Sequence, residues 1–412
     1  MAASLGYNRD AEADPVGGNI LEVPVFAMRL PLLLILLVGL LSMSPQGAVG
    51  QSDSTAPGSL MVVRGVAVDA TAETAVAARE LALADGQRRA FELALKRIVL
   101  REDYGRLPQL DADSLADLVE ALEIADEKTS AVRYLAKLTV RFKEDRVRTL
   151  LRVNQIPYTE TRSKPVLLLP VLERAGALSL FEDGNLWRAA WNTLELPTDA
   201  LLPVVLPLGD LEDVTVLGSE SAVAGELGPL QALGERYRSD SVVVLHAIVS
   251  PDLTAASANK VDVLRHWYGR EAANVVVSSY RGAADEALPA LLQRVALAEL
   301  AELEEAWKRQ TLQTFGESAV LSVRVPLAGL EDWLGVRSRL ERIGMVRRFE
   351  LRSISRAAAQ VVLHVSGDPA RLDVSLQQQD LNLVQVDGFW ELRPRNPARS
   401  AGTGDAREDA TQ

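Results

Sequence analysis

The most regular pattern in the chain is an alternation. Tyr134, Ala136, Leu138, Val140 and Phe142 interleave with Leu135, Lys137, Thr139 and Arg141, a period of two that predicts a strand with one buried face. Val62 to Val68 alternates more loosely up to Asp69 and predicts another strand, after which Asp69 or Thr71 is placed to cap a helix. From Ala72 to Leu100 the period lengthens. Ala77, Leu81, Ala84, Phe91, Leu95 and Ile98 recur at helical steps and share one face. Gly86 interrupts this helix at a cost of about 1 kcal/mol relative to Ala, and the small residues around it suit close approach by another element. Short helices are expected over 114–122 and 146–153, the second stopped by Ile156-Pro157. These elements make a first α/β block, residues 60–160.

A second block, 164–312, opens on the unbroken apolar run Val166 to Val171, as expected of a central strand. A helix carrying Trp187 and Trp191 follows. Leu202 to Leu208 reads as a second apolar strand, 221–237 as a helix and 242–249 as a third buried strand. Residues 260–268 and 274–280 read as an antiparallel pair. A long helix over 289–310 turns Leu292, Val295, Ala296, Leu300, Leu303 and Trp307 inward, with Pro289 in its first turn. The order βαβαβββα predicts an α/β domain with a mixed sheet.

The third block, 316–395, gives a strand at 319–325, a helix at 330–343, strands at 345–354 and 360–366, and a helix at 368–378 capped by Asp368. A last strand or hairpin spans 381–392 around Asp387-Gly388. This is βαββαβ, the ferredoxin-like arrangement. The fold class expected is α/β and α+β, in three small domains.

The amino end adds a compartment. Met28-Arg29 precedes the apolar run Leu30 to Leu41, a polar stretch to Gln46 and the small residues Ala48-Val49-Gly50 before Gln51. That is the order of a cleavable signal peptide, 28–50. The run is shorter than the roughly 20 apolar residues of a spanning helix. Residues 1–27 are acidic where a signal needs positive charge, so they read as a non-native leader with the true start at Met28. Residues 396–412 are small, polar and charged, and are expected to be a disordered tail.

Composition narrows the function. A net charge of −12 opposes nucleic-acid binding, which needs a basic surface. Cysteine is absent, which excludes disulfides, thiolate metal sites, cysteine nucleophiles and a lipid-modified Cys. An exported chain of this size without disulfides suits a bacterial periplasm.

Three stretches carry a resemblance. They are Val63-Arg64-Gly65-Val66-Ala67-Val68 with Ala78-Arg79-Glu80 and Ala90-Phe91; Tyr134 to Phe142 leading to Val147, Leu150, Leu151 and Ile156-Pro157-Tyr158; and Lys164-Pro165 through Val171 with Trp187 and Trp191. Over roughly residues 60–310 the chain resembles the bacterial family catalogued as domain of unknown function 2066. The second block is more distantly similar to the amino-terminal module of TolB and of envelope adaptor proteins. The family resemblance implies an exported envelope protein of unknown role, and the more distant one implies, by fold analogy, a module that binds other proteins.

Candidate chemistry is sparse. No Gly-x-Ser-x-Gly elbow, His-Glu-x-x-His pair or Walker loop occurs. Asp111 and Asp113 match two EF-hand positions, but the sixth lacks Gly and Leu122 stands at the twelfth. His246, Asp262 and His266 fall in neighbouring strands, and residues 262 and 266 share a strand face, so the three form a candidate polar cluster with metal-ligand chemistry. The bland reading is two strand histidines with hydrogen-bonded rings, and His364 is read as core or edge. Trp187 and Trp191, one helical turn apart, either anchor a helix to a sheet or form a binding platform. Phe389 and Trp390 are adjacent on a strand, so one of them is expected to face outward. These four aromatic residues make the candidate binding surface, and no catalytic residue, metal or cofactor is expected. The reading is a non-catalytic periplasmic adaptor or scaffold that contacts envelope proteins and touches the membrane only through an uncleaved signal. The alternatives are a glycan binder of the cell wall, acting on peptidoglycan through the third block, and a hydrolase with an unrecognised site.

Overall fold

A computed structural model describes residues 59–395 apart from 198–199, 252–258, 270–274, 316–317, 367–368 and 387. The expected leader, signal segment and tail, and the cap at Asp368, lie outside the described residues. The chain is a mixed α/β protein with three sheets. Among the described residues no helix is long and apolar enough to cross a membrane.

The first sheet is antiparallel in the order β1 (Val62–Thr71), β3 (Arg133–Phe142), β2 (Val119–Thr129). β3 lies where the alternation places it, with Tyr134, Ala136, Leu138, Val140 and Phe142 all buried. Helix α1 (Ala75–Ile98) packs across β1 and β3. Its cap is Thr74, whose side chain accepts from the Ala77 amide, and not Asp69 or Thr71, because β1 stays paired with β3 as far as Thr71. The buried stripe is Ala78, Ala82, Gly86, Ala90, Phe91, Ala94, Leu95 and Ile98. Leu81 and Ala84 face water instead. Helix and sheet meet so closely at Gly86 that a Cβ there would collide with Leu138 and Val68. The expected helix over 114–122 is only Ala112–Leu118, here α2. Beyond it the chain becomes β2, a strand whose burial pattern is too slight to read from sequence. Helix α3 (Glu144–Val153) completes the block.

The second sheet runs β5 (Ala177–Ser179), β4 (Val166–Arg174), β7 (Ser241–Pro251), β8 (Asn259–Tyr268), β9 (Val275–Arg281), with the short β6 (Val204–Val205) also on β4. β4 is parallel to β7 and to β6, and the other pairings are antiparallel. Helices cover both faces. Helix α4 (Leu186–Asn192), with Trp187 and Trp191, and the long α8 (Leu288–Thr311) lie on one. On the other lie α6 (Ser219–Ala224) and α7 (Leu227–Arg236), after a short helix α5 (Leu211–Val216) that sequence reading missed. Two expectations are corrected. The strand over 202–208 shrinks to two residues. The single helix over 221–237 breaks at Gly225, whose φ of 73° is left-handed and where a Cβ would strike the Tyr268 ring.

The third sheet runs β11 (Val346–Ile354), β12 (Ala358–Ser366), β10 (Ser318–Pro326), β14 (Phe389–Pro394), β13 (Leu381–Val386). The terminal element is a hairpin. Its second strand, β14, lies beside β10 and parallel to it, so the sheet has five strands where βαββαβ has four. Helices α9 (Leu330–Leu340) and α10 (Pro369–Gln378) close one face over Val323, Val325, Val361, Leu363 and Leu392. Helix α10 also joins this sheet to the rest. Ser375 Oγ lies 3.1 Å from Thr161 Oγ1, the Lys164 amide donates to Gln378 Oε1 at 2.8 Å, and Arg371 donates to the Leu312 carbonyl at 3.1 Å.

Candidate functional site

An edge strand exposes half its backbone hydrogen-bonding groups and invites another chain to pair, so folded proteins blunt their edges with charge, bulges or shortness. The edges of this chain can be compared on that basis. Side chains from α1 reach the carbonyls of β1 and its approach: Arg97 donates to Leu60 and Val62, and Arg89 to Ala67. The edge strand β2 carries Glu120, Glu123, Asp126, Glu127 and Lys128 and breaks register twice. β5 has three residues. β11 carries Arg347, Arg348, Glu350 and Arg352 and also breaks register twice. β13 is uncharged, but its aliphatic side chains are buried or half-buried.

β9 has none of these protections. Its register with β8 is unbroken from Lys260–Arg281 to His266–Val275, and it bears no charge before Arg281. Val275, Val276 and Val277 are 56%, 46% and 61% exposed. Among the described residues no strand pairs with its outer side.

The edge is tied to α8 from behind. Tyr280 of β9 donates to Glu299 Oε1 on α8 at 2.7 Å, and Arg265 of β8 lies 3.2 Å from Glu299 Oε2. Glu299 is fully buried. Burial first, then the neighbouring carboxylate, drive the Tyr280 phenol far above its ordinary value, so it stays a proton donor.

The histidine and aspartate cluster expected from sequence lies on β7 and β8, the strands beside this edge. Strand register places His246, Asp262 and His266 on one face, because Val244 pairs with His266 and Ile248 with Asp262. Glu173 joins them through its pairing with Ile248, and His246 Nε2 lies 2.8 Å from Glu173 Oε2. His266 stacks on Tyr268, and its pKa is lowered by burial first and then by His246. Burial works to raise the Asp262 carboxyl, but hydrogen bonds from Lys260 and Ser279 outweigh it and hold it below its usual value. Each member therefore has a partner of its own, and among the described residues no group of three or more such side chains could hold a metal ion. Val275 and Val277 share this face with Leu264, in register with the polar cluster.

Trp187 and Trp191 do not form a platform. Both are fully buried, edge to face at 5.7 Å, and the Trp187 indole donates to the Leu245 carbonyl at 3.0 Å. Phe389 is 72% exposed and Trp390 37%. They face opposite ways, Trp390 lying in register with Val323 on the helix-covered side, yet both reach solvent. His364 is half-buried and lies 3.2 Å from Glu350. Sequence reasoning missed Glu173 and the valine edge. The apolar strand 274–280 was legible, but edge status belongs to sheet order. Elsewhere, a cleft of about 440 Å³ opens between the first and third blocks, lined by Met61, Arg148, Glu160, Arg162, Ile343 and Gln379 among others. Compared with protein families, curated proteins and solved structures, the chain matches none.

Proposed function

We propose that the protein is an exported, periplasmic, non-catalytic adaptor that binds an extended apolar segment of an envelope protein along β9. The observation that carries this reading is the unguarded valine edge in a molecule whose other edges are blunted. Strand addition gives main-chain hydrogen bonds for affinity and side-chain contacts for specificity, each bond adding about 0.5–1.5 kcal/mol net. The clamp from Glu299 to Tyr280 and Arg265 holds the edge in its pairing conformation before a partner arrives, which lowers the ordering cost of association. Export rests on the residue order of 28–50. The same reading takes the central domain as similar to the TolB amino-terminal module and the third sheet as a ferredoxin-like unit lengthened by one strand. These are fold analogies and do not fix a partner.

Val277→Lys tests it. The side chain is exposed, so the fold should lose no more than about 0.5 kcal/mol, while a charge on the edge blocks pairing. Tagged protein should retain a reproducible set of envelope proteins that the variant loses, with amide exchange over 275–281 slowed only when the partner is bound. Equal retention by the variant would refute the edge as the site.

A further inference from the structure

Among the described residues no element covers the face of the third sheet opposite α9 and α10, and its residues follow a pattern. Odd positions of β10 and β12 point to the helices, and even positions point outward. The open face therefore carries Val320, Ser322 and Arg324 from β10, and Gln360, Val362 and His364 from β12. β11 adds Arg348, Glu350 and Arg352, and β13 and β14 add Val384, Val386, Phe389, Glu391 and Arg393 through their register.

Its charges form two similar clusters. Glu391, whose side chain is only 7% exposed, lies 3.3 Å from Arg324 and 2.6 Å from Arg393. Glu350 lies 2.7 Å from Arg348 and 2.8 Å from Arg352. In each, one carboxylate holds two guanidiniums that are at least half exposed. Four arginines against two glutamates leave a surplus of two positive charges, on a chain whose net charge is −12. The two glutamates are three strands apart, roughly 14 Å across the sheet. Between and around the clusters are aliphatic side chains, Val320 at 66% exposure among them, and Phe389 stands at the margin.

We propose that this face is a second docking surface, for an acidic, apolar-rich stretch of another polypeptide. Charge complementarity gives the sign of the occupant, because the surplus guanidinium donors are preorganised for carboxylates. The valines give its class. A glycan laid over them would lose hydrogen bonds from its hydroxyls, whereas apolar side chains gain by covering them. Single-stranded nucleic acid needs several stacking rings, and this face supplies one phenyl group. The surface is separate in residues and chemistry from the β9 edge. It adds a second partner class to the adaptor reading, which leaves the inference standing if the edge fails.

The test uses the full chain and three fluorescent probes at low ionic strength, read by anisotropy: a random copolymer of glutamate and tyrosine, a glutamate homopolymer, and polygalacturonate as a carboxylate glycan. The copolymer should bind best. The double variant Arg324→Gln with Arg348→Gln leaves each glutamate one arginine, so the fold is kept, and it should weaken binding at least about tenfold. Val320→Ser with Phe389→Ser should weaken the copolymer but not the homopolymer. Val277→Lys should leave all three unchanged. No binding of the copolymer, equal or tighter binding of polygalacturonate, or an unchanged affinity in the arginine double variant would overturn the proposal.

Discussion

Gly86 shows how far one residue sets the fold. In an isolated helix Gly→Ala stabilises by about 1 kcal/mol. Here the missing Cβ is the space into which Leu138 and Val68 pack. Gly86→Ala should therefore destabilise the protein by about 1–3 kcal/mol, the cost of overpacking a filled core; thermal or urea unfolding checks this. The sequence carried part of this message. Small residues around Gly86 pointed to close approach, but the inward face chosen by periodicity was partly mistaken. Helical spacing puts Leu81 on the inward face with Phe91 and Leu95, whereas the sheet lies so near that alanines form the stripe and Leu81 stays in water. Site residues were legible to a similar degree. Period-two parity placed Asp262 and His266 together, but Glu173, supplied by a strand some 70 positions earlier, became visible only through the register of β4 with β7.

At the scale of elements, strands buried on one or both faces were legible, such as β3, β4 and β7, because burial writes a period or an apolar run. β2 was not, since it is paired on one side only and both its faces are largely wet. Helix α8 was legible in extent, but its charged interior was not. Lys308 is 3% exposed and donates to the carbonyls of Lys96 and Val99, at 2.7 and 3.0 Å, and to Glu305 at 2.9 Å. It thereby satisfies carbonyls at the carboxyl end of α1, where the helix leaves them unpaired, and ties the first block to the second. Glu305 in turn accepts from the Arg101 amide. Lys308→Met keeps the chain length but leaves Glu305 and two carbonyls short of a partner. It should cost about 3–5 kcal/mol, as for breaking a buried pair, measured as a lowered midpoint of chemical denaturation. A neutral effect would mean that the junction is not held by this lysine.

The whole molecule is organised by its junctions. One hydrophobic cluster runs from β1 and α1 through to α8, and α10 adds the third sheet through hydrogen bonds around residues 159–164. Glu160 sits in this region, paired with Arg148 at 2.8 and 3.0 Å. Burial raises its pKa, and the attraction of Arg148 offsets this only in part. An acid whose folded pKa is raised contributes stability that is full below the unfolded value of about 4.5 and is lost as pH rises through the folded value. Glu160→Gln should flatten that falling limb, visible when unfolding midpoints of the two proteins are compared from acid to neutral pH. Parallel curves would contradict the burial argument.

The central claim is that β9 pairs with a partner strand, and site-specific photocrosslinking in living cells tests it most directly. A photoreactive amino acid would replace Val276 on the edge or Arg88 on the exposed side of α1. The account predicts an adduct from position 276 and not from position 88, abolished by Val277→Lys, with the crosslinked partner peptide an extended apolar segment. No adduct at 276, or the same adducts from both positions, would contradict it.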